Sequence, residues 1–347
     1  MKKILASILV LCLMAALMAP MALAEEPAAE AGYTLGMGIS LNADSSKENN
    51  AQIDATVAAV VLDEEGKIVA AKIDVAQNKM DVTDGEVDTE AEFLTKLEKG
   101  EDYGMRKASA IGMEWYEQAA AFEQFVIGKT AEEVEAIETK EDGEHLIAVD
   151  EELYAGCTIS IGDFKEAVVK ACKDEQAMKF AGAGSINLGL AVISTAEESE
   201  AATADKDGTV KMYSEFAAVV VDDEGVIQAV VTDATQPKLP ITEDGEVGEL
   251  DYKGTKRELK EDYNMVKFGG STLEWYEQAA NFEAYAVGKT AEELRATETK
   301  TTDNGHVVFV DEELFASVSI SIDGMINVIA KAVDNAMGVA AETAKAA

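Results

Sequence analysis

Two histidines, three cysteines, four prolines and two tryptophans are all that 347 residues contain. His145 and His306 each stand alone beside a glycine, Gly143 or Gly305, with no second histidine or cysteine near, so neither neighbourhood offers a zinc set. Cys12 lies in an N-terminal apolar run, which leaves Cys157 and Cys172. These flank a helix expected from about 161 to 173, which holds the thiols about 15–20 Å apart, whereas a disulfide needs Cα atoms within about 7 Å. A disulfide staple between them is therefore excluded if that helix forms. Positive charge is also scarce, at 29 basic against 67 acidic residues. Such a surface repels nucleic acid and anionic membranes and favours solubility. Hydrophobic content of 48% is ample for packed cores, so the acidity describes a solvated exterior and not disorder.

Long apolar runs are absent except at the start. Lys2 and Lys3 precede the run 4–17, then Pro20, Ala22-Leu23-Ala24 and the acidic pair Glu25-Glu26. This is the pattern of a secretory signal peptide, residues 1–24, cleaved after Ala24. A membrane anchor would need the same stretch kept, and the small-residue site argues for cleavage. Bulky Leu11 before Cys12 argues against lipidation. Cleavage removes two lysines and no acids, so 27 basic residues face 67 acidic ones and the net charge moves from −38 to −40. The expected product is secreted or otherwise extracytoplasmic, with no integral membrane segment and no nucleic-acid partner.

An internal duplication dominates what remains. "EDYGMRKASAIGMEWYEQAAAFEQFVIGKTAEEVEAIETK" from Glu101 returns as "EDYNMVKFGGSTLEWYEQAANFEAYAVGKTAEELRATETK" from Glu261, 160 residues later and without a gap. Upstream, residues 57–77 answer 216–236, and Leu35-Gly36-Met37 answers Leu188-Gly189-Leu190. The period is too long for a solenoid, so tandem domains are expected at 33–176 and 184–336, each able to fold alone. A small-residue linker at 179–185 would join them, and an alanine-rich tail at 337–347 would follow.

Within a copy, residues 57–62 and 68–75 are strand-like runs joined by a turn in which Gly66 supplies the permissive backbone. Residues 114–127 switch to helical spacing, with Trp115, Ala119, Phe122 and Val126 on one face. Gly128 ends that helix, and Thr130 with Glu133 opens the next as a capping box, repeated by Thr290 with Glu293. Strands first and helices afterwards predict an α+β fold in which each copy is an antiparallel sheet with packed helices.

Several motifs fail on inspection. "IGKT" at Ile127 and "VGKT" at Val287 lack the upstream glycine of a phosphate loop, since Glu123 stands five residues before Gly128. "TADKDGTVKMYSEF" at Thr203 puts threonine and Ser214 where a calcium loop needs carboxylates, and reads as a turn before a strand. No nucleophile elbow or Ser-His-Asp order is present. Trp115 and Trp275 could stack on a ring system, but their helical spacing with alanine and phenylalanine favours core packing.

The ends of the two copies differ: Ala155-Gly156-Cys157-Thr158 in the first, Ala316-Ser317-Val318-Ser319 in the second. Each hydroxyl comes shortly before a helix, where N–H groups favour a phosphate or where Ser160 or Asp163 would simply cap. Together with the Asp63-to-Ile68 hairpin and the central helices, the pattern resembles the FMN-binding domain family. That family includes exported flavin subunits of sodium-pumping and Rnf-type complexes and repeated flavoproteins of extracellular electron transfer. Its terminal motif is Ser-Gly-Ala-Thr, whose threonine carries FMN through a phosphoester. The resemblance implies Thr158 as the attachment residue, Gly156 as the tight turn, Glu152 as the preceding acid and Ser319 as the second-copy counterpart. It also implies a flavin transferase and membrane redox subunits as partners, and a carrier more than a catalyst. Ala155 and Cys157 depart from the motif, and the second copy loses the glycine. The competing reading is a cofactor-free surface or ligand-binding protein that kept the fold.

Overall fold

The computed structural model describes residues 31–143, 145–182 and 186–338. The expected signal peptide and all but the first two residues of the expected tail lie outside them. The first repeat runs β1 (Ala31–Asn42), β2 (Asn50–Leu62), β3 (Ile68–Thr83), β4 (Glu86–Val87), α1 (Lys96–Lys99), α2 (Trp115–Val126), α3 (Ala131–Glu135), β5 (Thr139–Asp142), β6 (His145–Ala148), α4 (Glu151–Gly156) and α5 (Gly162–Cys172). The strand β7 (Met178–Gly182) follows. The second repeat runs β8 (Asn187–Thr195), β9 (Gly208–Lys211), β10 (Tyr213–Val221), β11 (Ile227–Thr235), β12 (Lys238–Ile241), α6 (Lys256–Leu259), α7 (Met265–Gly269), α8 (Trp275–Ala286), α9 (Ala291–Arg295), β13 (Thr299–Thr301), β14 (Val307–Phe309), α10 (Glu312–Ser317) and α11 (Asp323–Ala336). Mixed α and β structure with antiparallel sheets is what the order of patterns predicted.

The local signals hold. Gly66 turns the β2–β3 hairpin at φ +76°, and the capping boxes at Thr130–Glu133 and Thr290–Glu293 form. Trp115, Ala119, Phe122 and Val126 are the buried face of α2, together with Gln118. The calcium-like stretch is a tight turn bridged by Thr203 and Lys206, followed by β9.

The described residues form one compact unit. One antiparallel sheet has the order β4-β3-β2-β1-β7, and a second has β11-β10-β8. Because side chains alternate across a strand, each sheet offers two apolar faces. Ala58, Val60, Ile73 and Val75 pack under the helices of the first repeat. Ala217, Val219, Val221 and Val230 do the same in the second. The opposite faces, with Val57, Ala59, Val61 and Ala76 on one sheet and Phe216, Ala218, Val220 and Val231 on the other, form a single shared core. The layers run helices, sheet, sheet, helices. Strands buried on both faces explain why residues 57–62 are a continuous apolar run.

Close helix–strand approach explains paired glycines. A Cβ on Gly36 would lie 2.1 Å from the Ala171 carbonyl oxygen of α5, and one on its counterpart Gly189 2.0 Å from that of Ala332 in α11. The expected linker is in part a strand, since residues 178–182 pair antiparallel with 31–35 of β1. The repeats also clasp each other reciprocally. Lys331 Nζ of α11 meets Glu98 of the first repeat at 2.6 Å, and Lys170 Nζ of α5 meets Glu258 of the second at 3.2 Å.

Candidate functional site

Where α2, β2 and the segment before α5 meet, they enclose a cavity of about 580 Å³, within the range of about 300–1,000 Å³ typical of small-molecule sites. Thr158 and Ser160 line it, as do Trp115, Tyr103, Tyr154, Phe164, Gln77, Lys96 and four aspartates, Asp44, Asp54, Asp142 and Asp163. His145 is also at its wall. Trp115 is 2% exposed and belongs to the core, as its spacing predicted, yet one part of it also faces the cavity.

Thr158 is held by a residue that its motif does not include. Its N–H donates to Gln118 Oε1 at 2.9 Å and its hydroxyl donates to the same oxygen at 3.1 Å. Gln118 is fully buried, and its Nε2 is satisfied by Ser109 Oγ and the Met113 carbonyl, each at 3.2 Å. A buried amide with every group paired fixes its partners firmly. Ser319 repeats the arrangement with Gln278, at 2.7 Å from N–H and 3.1 Å from the hydroxyl.

The helix-start expectations need correction. α5 begins at Gly162, four residues after Thr158, and the Thr158 N–H is already engaged by Gln118. Neither Ser160 nor Asp163 caps α5. Ser160 Oγ accepts from the Leu146 N–H, and Asp163 accepts from Ser40 and Asn42. Gly156 is the last residue of α4 and its φ is not positive, so it serves no tight turn. Its requirement is steric, because a Cβ there would sit 3.0 Å from the Ala121 methyl. The second copy carries Asn281 and Ser317 at these places, and Asn281 Nδ2 donates to the Ser317 carbonyl. Glu152 is exposed in the first turn of α4 and is absent from the cavity wall.

The cavity's electrostatics centre on Lys96. Its ammonium lies 5.3 Å from the Tyr103 ring centre and 5.4 Å from that of Trp115, a cation–π arrangement. Burial lowers its pKa, while Asp54, Asp163 and Asp74 pull it back up. Burial raises the Asp54 carboxyl against a hydrogen bond from Gln52, and Asp54 Oδ1 is buried without a partner. Burial also raises Asp163, helped by Glu166, Asp54 and Asp44. The thiol beside Thr158 is inert, since burial pushes Cys157 up to about 12.

The second repeat differs at the equivalent place. Its remnant cavity is about 290 Å³, lined by Thr195, Glu197, Glu198, Tyr213 and Gln236 among others, and its wall does not include Ser319, Trp275 or Lys256. Tyr213 stands where the first repeat has Asp54, and Glu215 where it has Thr56. Tyr213 covers Lys256, whose ammonium is 4.7 Å from its ring centre, and the phenol oxygen lies 3.3 Å from Glu215. Ser319 thus keeps its amide anchor without a comparable cavity. The structure brings Thr158 to the first-repeat cavity and separates Ser319 from the second. Sequence reasoning missed Gln118, Lys96, Asp54 and Tyr103. Alignment of the repeats held the signal, because Gln118/Gln278, Lys96/Lys256 and Tyr103/Tyr263 are retained while Asp54/Tyr213 is not.

Among the described residues no group of three or more histidine, cysteine or acidic side chains is arranged to hold a metal, and no helix is long and apolar enough to cross a membrane. No family model matches this chain, and no solved structure matches it. The chain is similar to a chlorophenol reductase of Desulfitobacterium hafniense, 30% identical over 125 residues, covering 31% of this chain and 38% of that protein. This chain therefore spans well under half the length of that relative, and the FMN-binding family stays a resemblance.

Proposed function

We propose that this chain is an extracytoplasmic electron carrier that holds FMN through a phosphoester on Thr158, with a flavin transferase as its maturation partner and membrane redox subunits as its electron partners. The observation that carries the reading is the position of Thr158, the one motif hydroxyl that opens onto an aromatic-walled cavity. The residues present suit the group. Trp115, Tyr103 and Phe164 offer apolar ring surface, Lys96 a buried cation, and Gln118 a fixed acceptor that holds the hydroxyl in place. FMN bound there would supply one- and two-electron transfer, with the protein setting its exposure and electrostatics. The similarity to a protein named as a reductase agrees with redox work.

The cavity's charge favours a covalent over a freely exchanging flavin. Four aspartates and one lysine line it, a field that opposes recruitment of a phosphate dianion. A phosphodiester made once on Thr158 does not depend on that recruitment. With a flavin dinucleotide as donor, the bond from Thr158 Oγ1 to the flavin-side phosphorus forms. The bond to the departing adenylate breaks, and the hydroxyl proton leaves to water.

The test is co-expression with a bacterial flavin transferase, followed by denaturing electrophoresis under ultraviolet light. One flavin per chain is expected, lost in Thr158→Val and kept in Ser319→Ala. A dark wild-type band beside a fluorescent Ser-Gly-Ala-Thr control would overturn covalent flavinylation. A cofactor-free ligand-binding protein is the second reading, favoured by Ala155 and Cys157, which depart from the motif.

A further inference from the structure

We infer that the first-repeat cavity seats a planar aromatic ring bearing a hydroxyl, in the place that the second repeat fills with its own Tyr213. The inference shares the cavity with the proposed function and does not depend on the bond to Thr158.

The duplication supplies the comparison. Both repeats keep a lysine ammonium against a tyrosine and a tryptophan: Lys96 with Tyr103 and Trp115, and Lys256 with Tyr263 and Trp275 at 5.1 and 5.3 Å. In the second repeat a third ring completes the enclosure. Tyr213 lies with its centre 4.7 Å from Lys256 Nζ, and its oxygen is 3.4 Å from that ammonium and 3.3 Å from Glu215. In the first repeat the third ring is missing, because the strand position that carries Tyr213 carries Asp54.

The neighbouring positions have changed in step. Gly162-Asp163 in the first repeat is Asp323-Gly324 in the second. A Cβ on Gly324 would lie 1.9 Å from Glu215 Oε2, so the glycine is what admits Glu215. The first repeat has the reverse pair, the short Thr56 on the strand and Asp163 on the helix, and there the space is open. The second repeat is a filled copy of the site, and its filling is a phenol between an ammonium and a carboxylate. The first repeat retains the ammonium at Lys96 and offers Asp54, whose Oδ1 has no partner in the protein. A ligand hydroxyl near the place of the Tyr213 oxygen would accept from Lys96 and donate to Asp163, which stands on the helix where the Glu215 carboxylate reaches in the second repeat, with the ring lying beyond the Asp54 carboxylate. Ring burial against Tyr103 and Trp115 provides apolar area and ring-edge contacts.

The probe is p-cresol, the tyrosine side chain as a free molecule, titrated into the full chain and followed by tryptophan fluorescence and saturation-transfer NMR. One equivalent is expected for the wild type. Asp54→Tyr with Thr56→Glu builds the second-repeat filling into the first repeat and should abolish binding. Tyr213→Asp with Glu215→Thr should add a second equivalent. Should the filled variant not fold, Lys96→Met serves instead. It should weaken p-cresol at least tenfold while leaving toluene binding within about twofold, because only the hydroxyl uses the ammonium. Absence of saturable p-cresol binding by the wild type would overturn the inference, as would undiminished binding by a well-folded filled variant. A chain that accepts covalent flavin yet does not bind p-cresol would refute the ring seat alone. A chain that binds p-cresol and stays dark after transferase treatment would refute the flavin reading alone.

Discussion

Replacing Asp233 by asparagine should flatten the pH dependence of stability between pH 5 and 8. Asp233 is 8% exposed, and its Oδ1 accepts from the Ala234 N–H at 2.7 Å and the Arg257 N–H at 3.1 Å. Burial pushes its carboxyl from 3.8 up to about 7, against the pull of Arg257 and a hydrogen bond from Thr255. The native state therefore keeps a proton that the unfolded chain has released anywhere between those two values. Where the native state binds more protons, stability falls as pH rises. From pH 5 to 7 the difference is one proton over two pH units, which at about 1.36 kcal/mol per unit is about 2.7 kcal/mol lost. The proton is half released at pH 7, so the slope tails off and is gone by about pH 8.

Asparagine keeps an acceptor for both N–H groups and cannot titrate, so its loss over that window should be smaller by about that amount. Asp74, raised to about 6, and Glu215, raised to about 7, continue to titrate in the variant, so some slope remains. Urea denaturation at pH 5, 6, 7 and 8, with wild type and variant at the same ionic strength, measures the difference. Coincident slopes would mean that Asp233 is ionised in the native state throughout and that burial does not govern it.

Gly38→Ala should cost ~3 kcal/mol or more by urea denaturation, because the new methyl would lie 2.3 Å from the Ala167 carbonyl of α5; a loss below 1 kcal/mol would mean that the helix can lift from the strand. Riboflavin should bind the unflavinylated chain more tightly than free FMN, since the aspartates lining the cavity oppose the phosphate, and titration by flavin fluorescence quenching would expose the opposite order. Residues 33–176 and 184–336 produced apart should each lack the cooperative thermal melt of the whole chain, because each leaves the Val57 or Phe216 face of the shared core uncovered; a sharp melt in either piece would show that its own helices suffice.

The last of these expectations departs from the sequence reading, and the reason lies in the strands. Periodicity in β2 exposes no polar face, so the run 57–62 announces burial on both sides without naming what covers the second side. Two repeats of ordinary domain length suggest two separate cores, and only the alternation of Val57 and Ala58 into different clusters shows that one face is shared. By contrast, turn and cap chemistry is local. Gly66, the Thr130–Glu133 box and the apolar stripe of α2 depend on neighbours within a few residues, and all were legible. The strand inside the linker was not legible, because small residues mark both a connection and a strand lying close to another backbone. Thr158 was reached through its motif, yet the residues that shape its surroundings come from β2, α1 and α2. Their common location depends on the tertiary fold, which no window of the sequence contains.

The two copies keep the same anchoring pairs, Thr158 with Gln118 and Ser319 with Gln278, yet diverge at the strand positions facing them. Duplication in which both halves bind one ligand would preserve Asp54 and its counterpart alike. Here the counterpart is Tyr213, braced by Glu215, and Glu215 is admitted by Gly324, so at least three positions changed consistently to fill the space. A random loss of function would leave a void lined by unsatisfied groups, which costs stability in a buried location. The cavity that remains in the second repeat has half the volume of the first-repeat one, and its wall does not include Lys256. Its ring cage is complete, its serine stays bonded to its glutamine, and its α11 clasps the first repeat through Lys331 and Glu98. The second half shares the core of the first and braces α1, the helix that carries Lys96.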